Sequence, residues 1–164
     1  MEQKFASVRL TGLKKLSLFL INKEKINISD VIKLTNLAEN YSISELTNNC
    51  LSKNVKKTNK ILNENVFSVD DCILIIRTLL SKSKRLLEIK KINSSNKNID
   101  LIISNYKPTI FWKEKEIVKS QALKWSLKDT EELIYKTHDI ELLIKKNYNN
   151  SLNITSDFIL NTAK

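Results

Sequence analysis

The hydrophobic and polar positions of this chain alternate with helical spacing along almost its whole length. Apolar residues recur at intervals of three and four, which is the pattern of amphipathic helices packed on a common core. Polar stretches such as NKEKIN and SSNKN separate these segments. The pattern predicts helices at residues 3–21, after Ser29, and at residues 42–52, 55–65, 68–93, 99–106, 111–125, 127–146 and 151–162.

The longest predicted helix, residues 68–93, has clear signals at both ends. Ser68 and Asp71 have the spacing of a capping box, and lysines occupy the last turn, where the helix dipole favours positive charge. Its first half, CILII, is apolar on every face and is expected to be buried. Its second half carries Lys82, Lys84 and Arg85, which we expect to face water, so that the helix emerges as a basic rod.

The stretch after Pro108, the only proline, predicts another helix with an inward face. Proline lacks an N–H group and restricts the residue before it, so it ends the preceding helix. Spacing predicts an inward face made of Phe111, Val118, Ala122 and Trp125. Ser126 and Asp129 then form another capping-box pair.

Composition narrows the fold class to all-α, a helical bundle. The 164 residues contain one glycine and one proline, too few for the turns of many β-hairpins. Cys50 and Cys72 fall on apolar helix faces and are expected to be free, buried thiols. No apolar run spans a membrane, which favours a cytoplasmic protein.

The charge of the chain favours polyanionic partners. Lys and Arg outnumber Asp and Glu by 28 to 18, which gives a net charge of +10. Such a balance attracts nucleic acid by long-range electrostatics. The excess of Lys, Asn and Ile is also what an AT-rich coding sequence produces, so part of the charge has this alternative origin.

No stretch of the sequence has the residues of a catalytic, nucleotide-binding or metal site. With one glycine, neither a P-loop nor a dinucleotide-binding loop can form. The single histidine, His138, has no set of neighbouring ligands at metal-binding spacing and is expected to be structural or to face solvent. Glu114 and other acids alternate with lysines, as on solvated helix faces. No catalytic residue, metal or cofactor is therefore predicted, and an enzyme is disfavoured.

Two aromatic residues lie among cations and are candidates for stacking on unpaired bases. A flat ring beside lysines can stack on a base while the ammonium groups hold phosphates, worth roughly 1–3 kcal/mol per base. The alternative is structural: the ring of Trp112 would fill a gap between helices, and the ring of Tyr148 would pack on its own loop. The predicted nucleic-acid contacts are Trp112, Tyr148, Lys113, Lys115, Lys145 and Lys146.

Five segments, in order, resemble the delta subunit of the bacterial DNA polymerase III clamp loader. GLKKLSLFLINKEKINISDVIKL resembles the end of that family's middle domain. YSISELTNNCLSKNVKKTNKILNE and DDCILIIRTLLSKSKRLLEI resemble the first helix pair and the long helix of its C-terminal collar domain. KPTIFWKEKEIVKSQALKWSLKDTEELI resembles its aromatic and basic stretch, and HDIELLIKKNYNNSL its penultimate helix and loop.

The resemblance implies a non-catalytic part of a DNA-directed DNA polymerase holoenzyme, acting in DNA replication. Residues 1–40 would be the last helices of the family's lid-like middle domain. Residues 41–164 would be a helical collar piece that joins other loader subunits in a hetero-oligomeric ring. Primer–template DNA would be contacted weakly, with Trp112 at template bases and Tyr148 at the junction. The sliding clamp would be contacted only through an N-terminal domain that this chain lacks. The alternative function is a stand-alone, basic, helical protein that binds single-stranded nucleic acid.

Overall fold

The computed structural model describes residues 42–93 and 98–164, and all regular structure within them is helical. Two 3₁₀ turns, Trp112–Glu114 and Tyr148–Asn150, precede the helices that begin at Lys115 and Ser151. The predicted all-α fold is confirmed. In these residues the α-helices, in chain order, are α1 (42–51, the described part), α2 (Val55–Glu64), α3 (Val69–Asn93), α4 (Ile99–Asn105), α5 (Lys115–Lys124), α6 (Leu127–Lys146) and α7 (Ser151–Thr162).

Three predictions lie outside the described residues. These are the helix at residues 3–21, the helix after Ser29 and the polar break at residues 94–97. The division of the chain into residues 1–40 and 41–164 also stays a prediction.

Side-chain caps determine where the two longest helices begin. Ser68 Oγ accepts a hydrogen bond from Asp71 N at 3.2 Å, and Asp71 Oδ2 accepts one from Ser68 N at 2.7 Å. This reciprocal pair is the predicted capping box. Ser126 Oγ likewise accepts from Asp129 N at 3.0 Å, at the start of α6. Both starts therefore follow from local sequence.

Helix α3 is the centre of the bundle and runs antiparallel to α6. Arg77 Nε lies 3.1 Å from Glu141 Oε1, and Lys91 Nζ lies 3.7 Å from Glu131 Oε1. The partner of Arg77 on α6 has a higher residue number than the partner of Lys91, so the two helices run in opposite directions. The apolar residues between these ion pairs, such as Leu79 and Leu133, are buried in one core.

The predicted division of α3 into a buried half and an exposed half is wrong. Leu74, in the half expected to be covered on all sides, is 42% exposed, whereas Leu86 and Ile89 in the second half are fully buried. Buried side chains continue from Cys72 to Ile89 because α4, α5, α6 and α7 all pack against this helix. Helix α3 is therefore a core helix throughout and not a basic rod.

The inward face predicted for α5 is correct except at its start. Val118, Ala122 and Trp125 are buried, and Trp125 Nε1 donates a hydrogen bond of 2.7 Å to Leu51 O at the end of α1. Phe111, predicted to face inward, is exposed. The α-helix begins only at Lys115, so helical spacing does not extend back to Phe111.

Both cysteines are free and buried, as predicted. Cys50 lies in the main core, where burial raises the pKa of its thiol to about 12. Cys72 packs with Ile76 and Ile144 in a smaller cluster between α3 and α6. Burial raises the pKa of this thiol too. The two groups act as small apolar side chains.

Candidate nucleic-acid interface

A pair of aromatic rings is exposed at the turn that precedes α5. Phe111 is 57% exposed and Trp112 is 69% exposed, with ring centroids 5.8 Å apart and planes tilted by 50°. Lys113 Nζ lies 5.2 Å from the centroid of the Trp112 ring, close enough for a cation–π contact. The structure therefore does not support the alternative in which Trp112 fills a gap between helices of this domain.

The backbone of this turn explains why its rings point outward. Phe111 has an extended conformation, with φ −56° and ψ 135°, and its carbonyl accepts a hydrogen bond of 2.8 Å from Glu114 N. The chain thus tightens into a 3₁₀ turn, none of whose three residues is buried. Ile110 before the turn and Val118 after it are buried and fix its two sides.

The carboxylate of Glu114 joins this aromatic turn to α1 and α3. Oε2 lies 3.4 Å from Arg85 Nη1, while Oε1 accepts a hydrogen bond of 3.3 Å from Asn48 Nδ2 and lies 3.9 Å from Lys82 Nζ. Glu114 is 25% exposed and Lys82 is 10% exposed. Two expectations are wrong here: Glu114 does not belong to a solvated face, and Lys82 and Arg85 do not simply face water.

Lys82 connects α3 to α1 through its ammonium group. Its Nζ donates to Ser44 O at 3.1 Å, to Ser44 Oγ at 2.8 Å and to Asn48 Oδ1 at 2.7 Å. Burial lowers the pKa of Lys82 to about 8, against the opposing effect of Glu114, while Arg85 lowers it further. Gln121 Nε2 extends the network by donating to Asn48 O at 3.0 Å. Helices α1, α3 and α5 are thus tied by polar contacts.

The second predicted ring, Tyr148, lies at the far end of α6. It is 56% exposed, in the 3₁₀ turn before α7. Its neighbour Lys145 pairs with Glu141 at 2.8 Å, and the same carboxylate oxygen lies 3.1 Å from Arg77. The hydrogen bond from Lys145 is the largest influence that lowers the pKa of Glu141. Lys146 is exposed at the end of the helix.

The structure does not bring Trp112 and Tyr148 into one site. Glu114 meets α3 at Arg85, and Glu141 meets it at Arg77, eight residues earlier. Because α6 runs antiparallel to α3, the seven residues from Glu141 to Tyr148 extend further in the same direction. At 1.5 Å per residue the two turns are separated by roughly 20 Å along the axis of α3.

Of the predicted lysines, Lys113 has the clearest contact with a ring, and Lys115 is half-buried at the start of α5. Sequence reasoning missed Phe111 as an exposed ring and Glu114 as an anchor. No sequence signal marked Phe111 as exposed, because proline is favoured in the first turn of a helix and does not exclude a helical start before Phe111. No sequence signal distinguishes Glu114 from its neighbouring acids.

Other functional groups in the described ranges do not assemble into a metal site. No three His, Cys, Asp or Glu side chains converge within residues 42–93 and 98–164. His138 is exposed on α6, as expected.

A cleft of about 310 Å³ lies between Lys53, Trp125, Glu132 and Phe158. Across the same ranges, no helix combines the length and apolar character needed to cross a bilayer.

Comparison with protein families, curated proteins and solved structures gives no relative for this chain: no family model, no curated protein and no solved structure matches it.

Proposed function

We propose that this chain is a non-catalytic subunit of a clamp loader of the bacterial DNA polymerase III type. In this proposal its helical domain joins other loader subunits, and the aromatic turn contacts unpaired bases near a primer–template junction. The assignment to a clamp loader is based on the sequence resemblance, and the all-α fold is compatible with a collar domain. The observation that carries the nucleic-acid contact is the exposed pair of rings, Phe111 and Trp112, with Lys113 beside them.

Exposed apolar residues on α6 support assembly with other proteins. Tyr135 is 72% exposed and Leu142 is exposed two helical turns later, at a spacing that puts both on the same face. Large apolar side chains that share one exposed face are typical of protein–protein contact surfaces. The expected partners are the other loader subunits, in a hetero-oligomeric ring.

Co-purification tests the loader assignment. The full chain is co-expressed with the other loader subunits of the same source and purified through a tag on one of them. We expect a stable complex that Leu142→Glu weakens. Lys136→Glu should leave it intact, because Lys136 is exposed on α6 but lies about 120° around the helix from Leu142. Failure of the unmodified chain to join any loader subunit would contradict the assignment.

A stand-alone single-stranded nucleic-acid binder is the second candidate, and the same rings favour it. Fluorescence anisotropy with an oligo-dT strand, at about 50 and 200 mM salt, tests the contact in either case. Trp112→Ala should weaken binding by about 1–3 kcal/mol because one stacking ring is lost. Lys113→Ala should also reduce the dependence of affinity on salt, because binding would neutralise one phosphate fewer and release one counterion fewer from the DNA.

Tyr135→Ala is the matched control, because it removes an equally exposed ring from a different surface. Equal effects of Trp112→Ala and Tyr135→Ala would contradict a specific contact at the aromatic turn. DNA binding without any loader complex would favour the second candidate over the first.

A further inference from the structure

The aromatic turn ends in a partly buried ionic contact between Glu114 and Arg85. Trp112 and Glu114 belong to the same three-residue turn, yet the ring of Trp112 points to solvent and the carboxylate of Glu114 points into the domain. There it meets Arg85, Asn48 and Lys82 at 3.3–3.9 Å. The turn is therefore held from inside by one side chain that contacts two other helices.

Arg85 depends on this carboxylate. Its Nη1 lies 3.4 Å from Glu114 Oε2, whereas its Nη2 is buried without a hydrogen-bond partner among the described residues. Loss of the counter-ion would leave this partly buried guanidinium poorly compensated, so Arg85 and Glu114 constrain one another. The contact fixes the distance between α3 and the turn.

We infer that Glu114 is a positioning residue for the proposed nucleic-acid contact, and that its carboxylate fixes the orientation in which Phe111 and Trp112 present their rings. The inference rests on the proposed function. Glu114 would act indirectly, by fixing the conformation of the turn, because its carboxylate points toward α1 and α3 and away from the exposed rings.

Electrostatics and positioning predict opposite effects for the loss of this carboxylate. A negative charge beside a bound strand repels its phosphates, so removal of an acid should by charge alone tighten binding. If Glu114 instead holds the rings in place, its removal should weaken binding, because rings that move between orientations lose entropy when they stack. The sign of the change therefore separates the two roles.

The test compares Glu114→Gln with Glu116→Gln. Glu116 is exposed in the first turn of α5, so the second variant makes the same charge change two residues away, outside the ionic contact. Affinity for oligo-dT should fall by about fivefold or more in Glu114→Gln, as expected for the loss of a hydrogen-bonded charge pair. In Glu116→Gln it should stay level or rise.

A second readout needs no DNA. With 5-fluorotryptophan incorporated, the two tryptophans give two ¹⁹F resonances, one from exposed Trp112 and one from buried Trp125. The Trp112 resonance should shift or broaden in Glu114→Gln, while the Trp125 resonance stays in place. Asn48→Ala, which removes one neutral partner of Glu114 without a charge change, should act in the same direction with smaller size.

The outcomes are distinguishable. Binding in Glu114→Gln that equals or exceeds that of Glu116→Gln, with an unchanged Trp112 resonance, would overturn the inference. If Trp112→Ala has no effect on DNA binding, the proposed contact fails, and the ¹⁹F result still decides whether Glu114 orders the turn. Should Glu114→Gln not fold, Asn48→Ala decides by the same two measurements.

Discussion

Substitution of Lys82 by methionine should change how the stability of this protein depends on pH. The Lys82 ammonium lies between α1 and α3, where it donates to Ser44 and Asn48. Burial lowers its pKa from 10.5 to about 8; Glu114 opposes this shift and Arg85 adds to it. Methionine keeps a long apolar side chain but cannot titrate, so the substitution removes this one ionisation from the buried contact.

The direction of the effect follows from proton binding. The unfolded chain holds the Lys82 proton up to its ordinary pKa of 10.5, whereas the folded chain releases it above about pH 8. Between these values the unfolded state binds more protons, so the free energy of unfolding rises with pH. From about pH 7 to about pH 9, these two pKa values give a rise of roughly 1 kcal/mol.

The thiols of Cys50 and Cys72 act in the opposite direction. Burial raises the pKa of each, so the unfolded chain loses these protons first and stability falls as pH rises through this range. Both thiols are present in the Lys82→Met variant as well. Their contribution therefore cancels when the two proteins are compared at each pH.

Urea denaturation of both proteins at about pH 7, 8 and 9 measures this difference. The stability of the wild type relative to Lys82→Met should increase by roughly 1 kcal/mol across the series. Lys84→Met is the control, because Lys84 is exposed on the same helix and should give no such trend. A constant difference between wild type and Lys82→Met would show that Lys82 keeps an ordinary pKa, and would refute the reasoning.

Two further predictions concern how the helices are held together. Trp125→Phe should destabilise the fold by about 1–3 kcal/mol in urea denaturation, because Leu51 O loses its buried indole donor; no change would contradict a structural role for this bond. Ser126→Ala should cost about 1 kcal/mol through loss of the α6 N-cap, and Ser120→Ala, on an exposed site in α5, should cost far less.

The helix boundaries were predictable because they depend on neighbours in sequence. Ser68 with Asp71, and Ser126 with Asp129, satisfy backbone N–H groups within one turn, and helix starts depend on such short-range bonds. Pro108 acts at equally short range. The predicted segments from Val55 onward therefore agree with the observed helices to within a few residues.

The role of the cations on α3 was not predictable for the opposite reason. Lys82 and Lys84 are two residues apart and both adjoin Ser83, yet the side chain of Lys82 is 10% exposed and Lys84 faces solvent. The difference comes from Ser44, 38 residues away, and from Glu114, which lies in another element. The spacing of residues along a helix indicates which side chains share a face, but it does not indicate whether another helix packs against that face.

Burial and pairing also separate the two predicted aromatic contacts, which looked equivalent in the sequence. Beside Tyr148, the ammonium of Lys145 pairs with Glu141, so part of the positive charge there is already neutralised. At the other turn the ammonium of Lys113 faces the ring of Trp112, and a second exposed ring adjoins it.

A stacked base needs an accessible ring with a cation near its phosphate. The aromatic turn combines two exposed rings with a lysine in contact with one of them, whereas Tyr148 is a single exposed ring and one of its neighbouring lysines, Lys145, is paired with Glu141. Because the two turns are roughly 20 Å apart along α3, one base cannot contact both rings. A strand that used both would have to follow the surface of the bundle between them. Tyr148→Ala should therefore weaken the binding of a short oligo-dT strand far less than Trp112→Ala does. Equal losses on a strand too short to reach both turns would mean that the sites bind independently and that the turn before α5 has no priority.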